Sequence, residues 1–446
     1  EGETLLYLAS VLAYTVATCA ALTVAGGTWM LHSRGRHPER TQAWVDAAQK
    51  AGHDGFVGQQ YTILSLLACA MLVPAMVGLA SSAAILGARS RERRLAVLRL
   101  VGLSGADVTR MSLLDALVQS VAGAVIGTVV YLVTLPAWSS LTVMGTRITA
   151  GEMILPPMML VVVLLGVIVV GQASAWRGLR QVRISPLGVS RRANGPRAGV
   201  WRVVVFFVTL FGAPLVAKLA PQRYQAFIIC SMIVAVIAVF DLAGSWFTQL
   251  LSRGLARLRG PVMRWTARRI QAAPTATWHR VSAMGLLSFI GGFIGSFMSY
   301  MPSGPATGAT ADAYVYGVLW DFEKGAFITL AFGFALTATS ILITQASGTI
   351  ERAEQSRSLH RMGAPAGYGL RVMWMEAYAP LLLAVLGGAG LGTLMASLLT
   401  GTSPVSGASS LALGIIVVGL VLTGLALRAC HPLYYRLLGI EERRND

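Results

Sequence analysis

The sequence predicts an all-α polytopic membrane protein of about ten transmembrane helices, within which two parallel three-helix repeats flank a linking region. Three observations carry that prediction. Of 446 residues, 55% are hydrophobic and only 12% charged, about half the charged share of a soluble domain. Ten apolar stretches are each long enough to cross about 30 Å of hydrocarbon as a helix. The chain also matches itself at an offset of 261 residues, at positions that are not merely apolar.

The stretches lie near residues 5–31, 61–88, 111–138, 153–174, 200–220, 225–248, 281–300, 325–347, 372–399 and 408–429. The first lacks the charged leader and small-residue cleavage site of a removable signal, so it is read as a span. Positive loops resist translocation. With both termini inside, 28 of the 36 Lys and Arg residues fall in cytoplasmic connections and 8 outside. A multi-pass protein of a bacterial plasma membrane is expected. The net charge of +17 sits on a chain far too apolar for a basic tail, which makes the lipid bilayer the expected partner and nucleic acid an unexpected one.

At the 261-residue offset Gly87 meets Gly348, Arg91 meets Arg352, Leu98 meets Leu359 and Gly102 meets Gly363. Further on, Arg110 meets Arg371, Asp115 meets Glu376 and Gly127 meets Gly388. Each copy is one span, a polar cytoplasmic segment and two more spans, and both copies begin outside, so they are parallel repeats. The organisation is a first helix and outer loop (1–59), repeat 1 (60–190), three linking spans (191–320) with a basic amphipathic segment at 250–271, and repeat 2 with a tail (321–446).

The first polar segment reads ARSRERRLAVLRLVGLSGADVTRMSLLDALVQSVAGAVIG. Its order of Arg-rich run, Leu95 to Arg99, Gly102, Arg110, Asp115 and a Gly-punctuated span resembles the FtsX-like permease family, including the MacB-type exporters. The second copy keeps Gly363, Arg371 and Glu376. The ten-span layout without a large extracellular domain is similar to the bacitracin-resistance type of permease. That family usually carries an acid one residue before the Leu-Ala-Val-Leu run, where this chain has Arg94, with Gln355 equivalent.

The resemblance implies that each segment is a coupling helix seated on a cytosolic ABC ATPase, two copies per permease, and that the cargo is an amphipathic antimicrobial peptide, drug or lipid. The implied coupling residues are Arg91, Arg93, Arg94, Leu95, Leu98, Arg99 and Gly102 in the first copy. In the second they are Arg352, Glu354, Leu359, His360, Arg361 and Gly363. Arginines among leucines offer charge-assisted hydrogen bonds and apolar anchors to a protein groove, and a basic loop that only enforces orientation is the plainer alternative. Gly102 and Gly363 are expected to end their helices in a left-handed conformation. The chain has no phosphate-binding loop, because its three lysines are followed by Ala51, Leu219 and Gly325. It is therefore expected to be a transport subunit and not an enzyme, with no cofactor of its own and with ATP and Mg on the partner. A mechanical relay to an extracellular partner and an ion-coupled secondary transporter are the competing functions.

Asp115 and Glu376 lie just inside their spans, and pairing with Arg110 and Arg371 is the expected way to offset their burial. Along 250–271, Leu251, Leu255, Leu258, Val262 and Trp265 recur opposite Arg253, Arg257, Arg264 and Arg268, suiting either the cytoplasmic leaflet or the ATPase, with a break at Gly260-Pro261. GxxxG spacings at Gly123/Gly127, Gly291/Gly295 and Gly388/Gly392 allow close helix approach. His32, His37 and His53 with Asp46 and Asp54 lack a metal-ligand spacing, so no metal site is expected. The stretch from Met301 to Lys324, with Asp321 and Glu323, reads as a flexible acidic loop.

Overall fold

The computed structural model describes residues 2–37, 41–50, 105–183, 201–219, 225–299, 311–400 and 410–438, with scattered positions between 61 and 83. The helices of the first part are α1 Gly2–Arg36, α2 Gln42–Lys50, α3 Gly105–Thr134, α4 Pro157–Arg183, α5 Trp201–Leu219 and α6 Gln225–Arg257. They are followed by α7 Pro261–Ala272, α8 Ser282–Ser299, α9 Ala311–Glu351, α10 Ala353–Arg361, α11 Tyr368–Thr400, α12 Ser410–Ala429 and α13 His431–Leu438. Between α3 and α4 the chain makes a 3-10 turn, Leu135–Ser140, and a small hairpin of β1 (Thr142–Val143) and β2 (Thr146–Arg147), paired antiparallel with Thr142 opposite Arg147. The described positions between 61 and 83 are helical too.

Among the described residues, six stretches are long and apolar enough to cross a membrane: Tyr7–Arg36, Thr109–Ser140, Pro157–Trp176, Gly317–Ile350, Tyr368–Ser397 and Ile416–Arg436. Their surface fits hydrocarbon. On α4, Met158, Val162, Leu165 and Val169 recur along one face and are all more than half exposed, an apolar stripe that water would not tolerate. Several hydroxyls inside the helices are satisfied by their own backbone, as suits lipid. Thr15, Thr23, Thr128, Thr337 and Thr423 each donate to the carbonyl four residues back.

The interior has two main clusters, both touching α9. Phe240, Met284, Leu330, Phe334 and Leu381 form one, and Tyr14, Leu72, Leu79, Leu336 and Ile343 the other. Two helix pairs pack especially closely, α3 on α1 and α11 on α8. A Cβ on Gly127 would lie 2.7 Å from the Thr15 carbonyl oxygen of α1, and one on Gly388 would overlap the Gly285 carbonyl oxygen of α8. The glycine spacings on α3 and α11 therefore bring backbones together, whereas Gly291 only meets a Leu330 side chain.

Three expectations change. The stretch before residue 325 is not a flexible loop from 311 onward, because α9 starts at Ala311 and buries both Asp321 and Glu323. The long polar connection after the first span contains α2, whose Trp44 ring fills the space over Gly317 of α9. The amphipathic segment 250–271 is the end of α6 and a separate α7, broken at Gly260. Of the apolar residues read along it, Leu255 is buried in a cluster with Ala267, Ile270 and Met375 and Ala379 of α11, while Leu251, Val262 and Trp265 are half-buried. Leu258, just past the end of α6, is 51% exposed.

Candidate functional site

Two polar constellations sit at opposite ends of α9. At one end, Arg352 occupies the bend between α9 and α10, with its backbone N–H on the Gly348 carbonyl and its own carbonyl accepting from Ser356 N–H at 2.8 Å. The short α10 buries none of its residues. It stops in a Schellman arrangement, where Gly363 N–H donates to the His360 carbonyl and Ala364 N–H to that of Leu359, both at 3.0 Å. Gly363 has φ +94°, a region that side chains disfavour.

Below α10, one oxygen of Glu376 on α11 accepts from Arg269 Nη1 at 3.0 Å and from Arg352 Nη1 at 3.1 Å. Glu376 is 9% exposed, and the two guanidiniums come from α7 and from the α9–α10 bend. Burial lowers the Arg269 pKa from its ordinary value, and the Arg352 charge adds to that, while Glu376 works against it. The expected partner of Glu376 was Arg371, which instead is exposed. Five residues on a helix is about 140° of rotation, so the two never share a face. Asp115 and Arg110, equally five apart on α3, are both exposed.

At the other end, the hairpin after α3 turns through Met144 and Gly145, both with positive φ (53° and 71°), as a tight two-residue hairpin needs. Arg34, at the end of α1, is 3% exposed and uses all five of its N–H donors. They reach Glu152 Oε2 (3.0 and 2.6 Å), Val143 O (2.7 Å), Thr146 Oγ1 (2.9 Å) and Arg147 O (2.9 Å). Across from it, Asp321 of α9 accepts from Tyr61 Oη (2.9 Å), Met144 N–H (2.8 Å) and Lys324 Nζ (2.8 Å). Lys324 also donates to the Thr142 carbonyl at 2.6 Å. Beneath the hairpin lies a cavity of about 170 Å³ between α1, α8 and α9, walled by residues such as Leu31, Leu141, Ile148, Ile290 and Phe332.

Residues 60–187 match the family model described as FtsX-like permease C-terminal. A permease of that family is the transport component of an ABC-type system and not its catalytic enzyme. No curated protein and no solved structure matches the chain. With the six long apolar helices among the described residues, the match points to a membrane protein in which residues 60–187 are similar to the FtsX-like permease family.

Of the sequence-predicted coupling residues, Arg91, Arg93, Arg94, Leu95, Leu98, Arg99 and Gly102 lie outside the described residues. In the second copy, Glu354, His360, Arg361 and Gly363 are exposed on or just after α10, Leu359 is half-buried, and Arg352 is turned to Glu376. Among the described residues no group of three His, Cys, Asp or Glu side chains could hold a metal, and His53 and Asp54 fall outside them. Reading the sequence missed Arg34, Glu152 and Arg269. Arg269 carried a signal, because it stands four residues after Trp265 on the apolar side of α7. A cation there calls for a buried acid.

Proposed function

We propose that the chain is the membrane-spanning subunit of an ATP-driven transporter of the FtsX/MacB type, coupling a separate cytosolic ATPase to export or extraction of an amphipathic substrate. The observation that carries this reading is the FtsX-like match over residues 60–187, joined to an exposed α10 at the corresponding place of the second copy. In this reading ten spans form two repeats. Helices α3 and α11 support it: shifting Gly105–Thr134 by 261 residues lays it over Tyr368–Thr400, and Gly127 and its counterpart Gly388 both lie at the closest helix crossings. The helices that receive them, α1 and α8, extend the correspondence to a fourth span in each half.

The working stroke follows from the contacts. An ATPase gripping α10 pulls on Arg352, and Glu376 passes that displacement to α11 and, through Arg269, to α7. ATP and Mg belong to two ATPase subunits, with both permease termini on the same cytoplasmic side. The test is whether a neighbouring reading frame encodes a soluble ATPase with a phosphate-binding loop, and whether that protein co-purifies with the full chain. Charge reversal at Glu354 and Arg361, exposed on α10, together with Arg91, Arg93 and Arg94 reversed to Glu, is expected to abolish association while membrane insertion continues. Undiminished association would remove both segments from the coupling role.

A further inference from the structure

The hairpin end of the molecule holds a device that the coupling reading does not use. The Trp138–Met153 segment forms the roof of the 170 Å³ cavity, with Trp138, Leu141, Val143, Ile148 and Met153 all in its lining. The roof is attached on two sides by unequal means. On the α1 side Arg34 makes five hydrogen bonds, four of them to groups in Val143–Glu152 at 2.9 Å or less. The Tyr131 hydroxyl adds a bond to the Met153 carbonyl. On the α9 side two hydrogen bonds hold it among the described residues, Met144 N–H to Asp321 and Lys324 Nζ to the Thr142 carbonyl, beside the stacking of Trp138 on Phe332 (ring centroids 6.1 Å). Tyr61 and Lys324 orient the Asp321 carboxylate for that task.

The floor and walls are suited to hydrocarbon. The threonine hydroxyls that line the space are already spent on their own helices, Thr23 on the Cys19 carbonyl, Thr28 on that of Val24 and Thr329 on that of Gly325. The volume slightly exceeds that of an apolar protein cavity, about 150 Å³, that stays dry and takes benzene. Lys324, with three N–H donors and two bonds among the described residues, stands at the edge of this space. It leaves one donor for an anionic or polar head.

We infer that the hairpin is a lid, hinged on Arg34 and latched by Asp321 and Lys324, over a site that takes the end of an alkyl chain of an amphiphile. Opening requires loss of the two α9 hydrogen bonds and unstacking of Trp138 from Phe332 while the Arg34 side holds, which parts the roof from α9 and exposes the cavity. The inference rests on the proposed amphipathic cargo, yet binding needs no ATPase, so its failure leaves the ATPase partnership standing.

The test uses the purified full chain in detergent, titrated with 12-bromododecanoate, whose bromine quenches tryptophan at short range. Subtracting the Trp138→Phe variant isolates the signal from Trp138. Saturable quenching is expected in the native chain and its loss in Ala326→Phe, which narrows the cavity. Asp321→Asn and Lys324→Met are each expected to speed the onset of quenching at least about tenfold, the loss of one charge-assisted bond. Lys324→Arg, which keeps a donor for Thr142, is expected to stay slow. Quenching that never saturates and is the same in Ala326→Phe overturns the site. Saturable quenching with the native onset rate in Lys324→Met overturns the latch.

Discussion

Replacing Arg34 by Met keeps the length and apolar stem of the side chain while removing the guanidinium. Five hydrogen bonds disappear, two of them to Glu152, whose side chain is only 12% exposed and loses the Arg34 cation. Breaking a buried pair from one side costs about 3–5 kcal/mol. The α1 helix does not depend on those bonds, so the hairpin opens locally instead of the bundle unfolding. A loss of about 3 kcal/mol is roughly two powers of ten in the opening equilibrium. Hydrogen exchange of residues 141–153 in detergent is therefore expected to accelerate about a hundredfold, with α1 amides as the unchanged internal reference. Adding Glu152→Leu to Arg34→Met should restore part of the protection, since no carboxylate is then left without the Arg34 cation. Unchanged exchange in Arg34→Met, or no recovery in the double variant, would refute the assignment of Arg34 as the hinge of the hairpin.

Other outcomes follow from the same geometry. Gly388→Ala should lower the unfolding temperature in detergent, at an overpacking cost of about 1–3 kcal/mol. Gly387→Ala should not, because a Cβ at Gly387 meets nothing within 4 Å; equal effects would mean that α8 and α11 do not cross there. Glu376→Gln leaves Arg269 and Arg352 facing each other without a carboxylate, and disulfide trapping between cysteines placed on α7 and α11 should drop several-fold. The partial exposure of Arg352, 36%, keeps the loss below that of a fully buried pair. Gly363→Ala forces a side chain into the left-handed region at about 1–2 kcal/mol, and protease cleavage just after α10 should quicken; an unaltered rate would count against the Schellman stop.

What the sequence made legible was the part governed by periodicity and bulk hydropathy. The helices over 111–138, 372–399 and 408–429 follow from apolar length alone, and the left-handed stop at Gly363 follows from a glycine after a charged helix. Charge pairing was illegible because it is set by contacts distant in sequence. Arg34 and Glu152 are 118 residues apart, and Arg269 and Glu376 are 107 apart. A reading limited to neighbours on one helix settles on Arg371 for Glu376, although the rotation between them rules it out. Asp321 looked like a loop acid for the same reason. Its neighbours Trp320 and Phe322 gave no sign that Tyr61 and the Met144 amide would come to it.

Helix α9 is unbroken for 41 residues, a rod of roughly 60 Å that bears the Asp321 carboxylate about 15 Å in from one tip and ends beside Arg352 at the other. Such a strut cannot absorb a sideways push by bending at a joint. Tilting it about its middle by about 5° would swing each tip some 2–3 Å in opposite directions and carry Asp321, about 15 Å from the middle, by a little over 1 Å. Whatever nudges the Arg352 tip is thereby felt at the far one, in a single rigid stride.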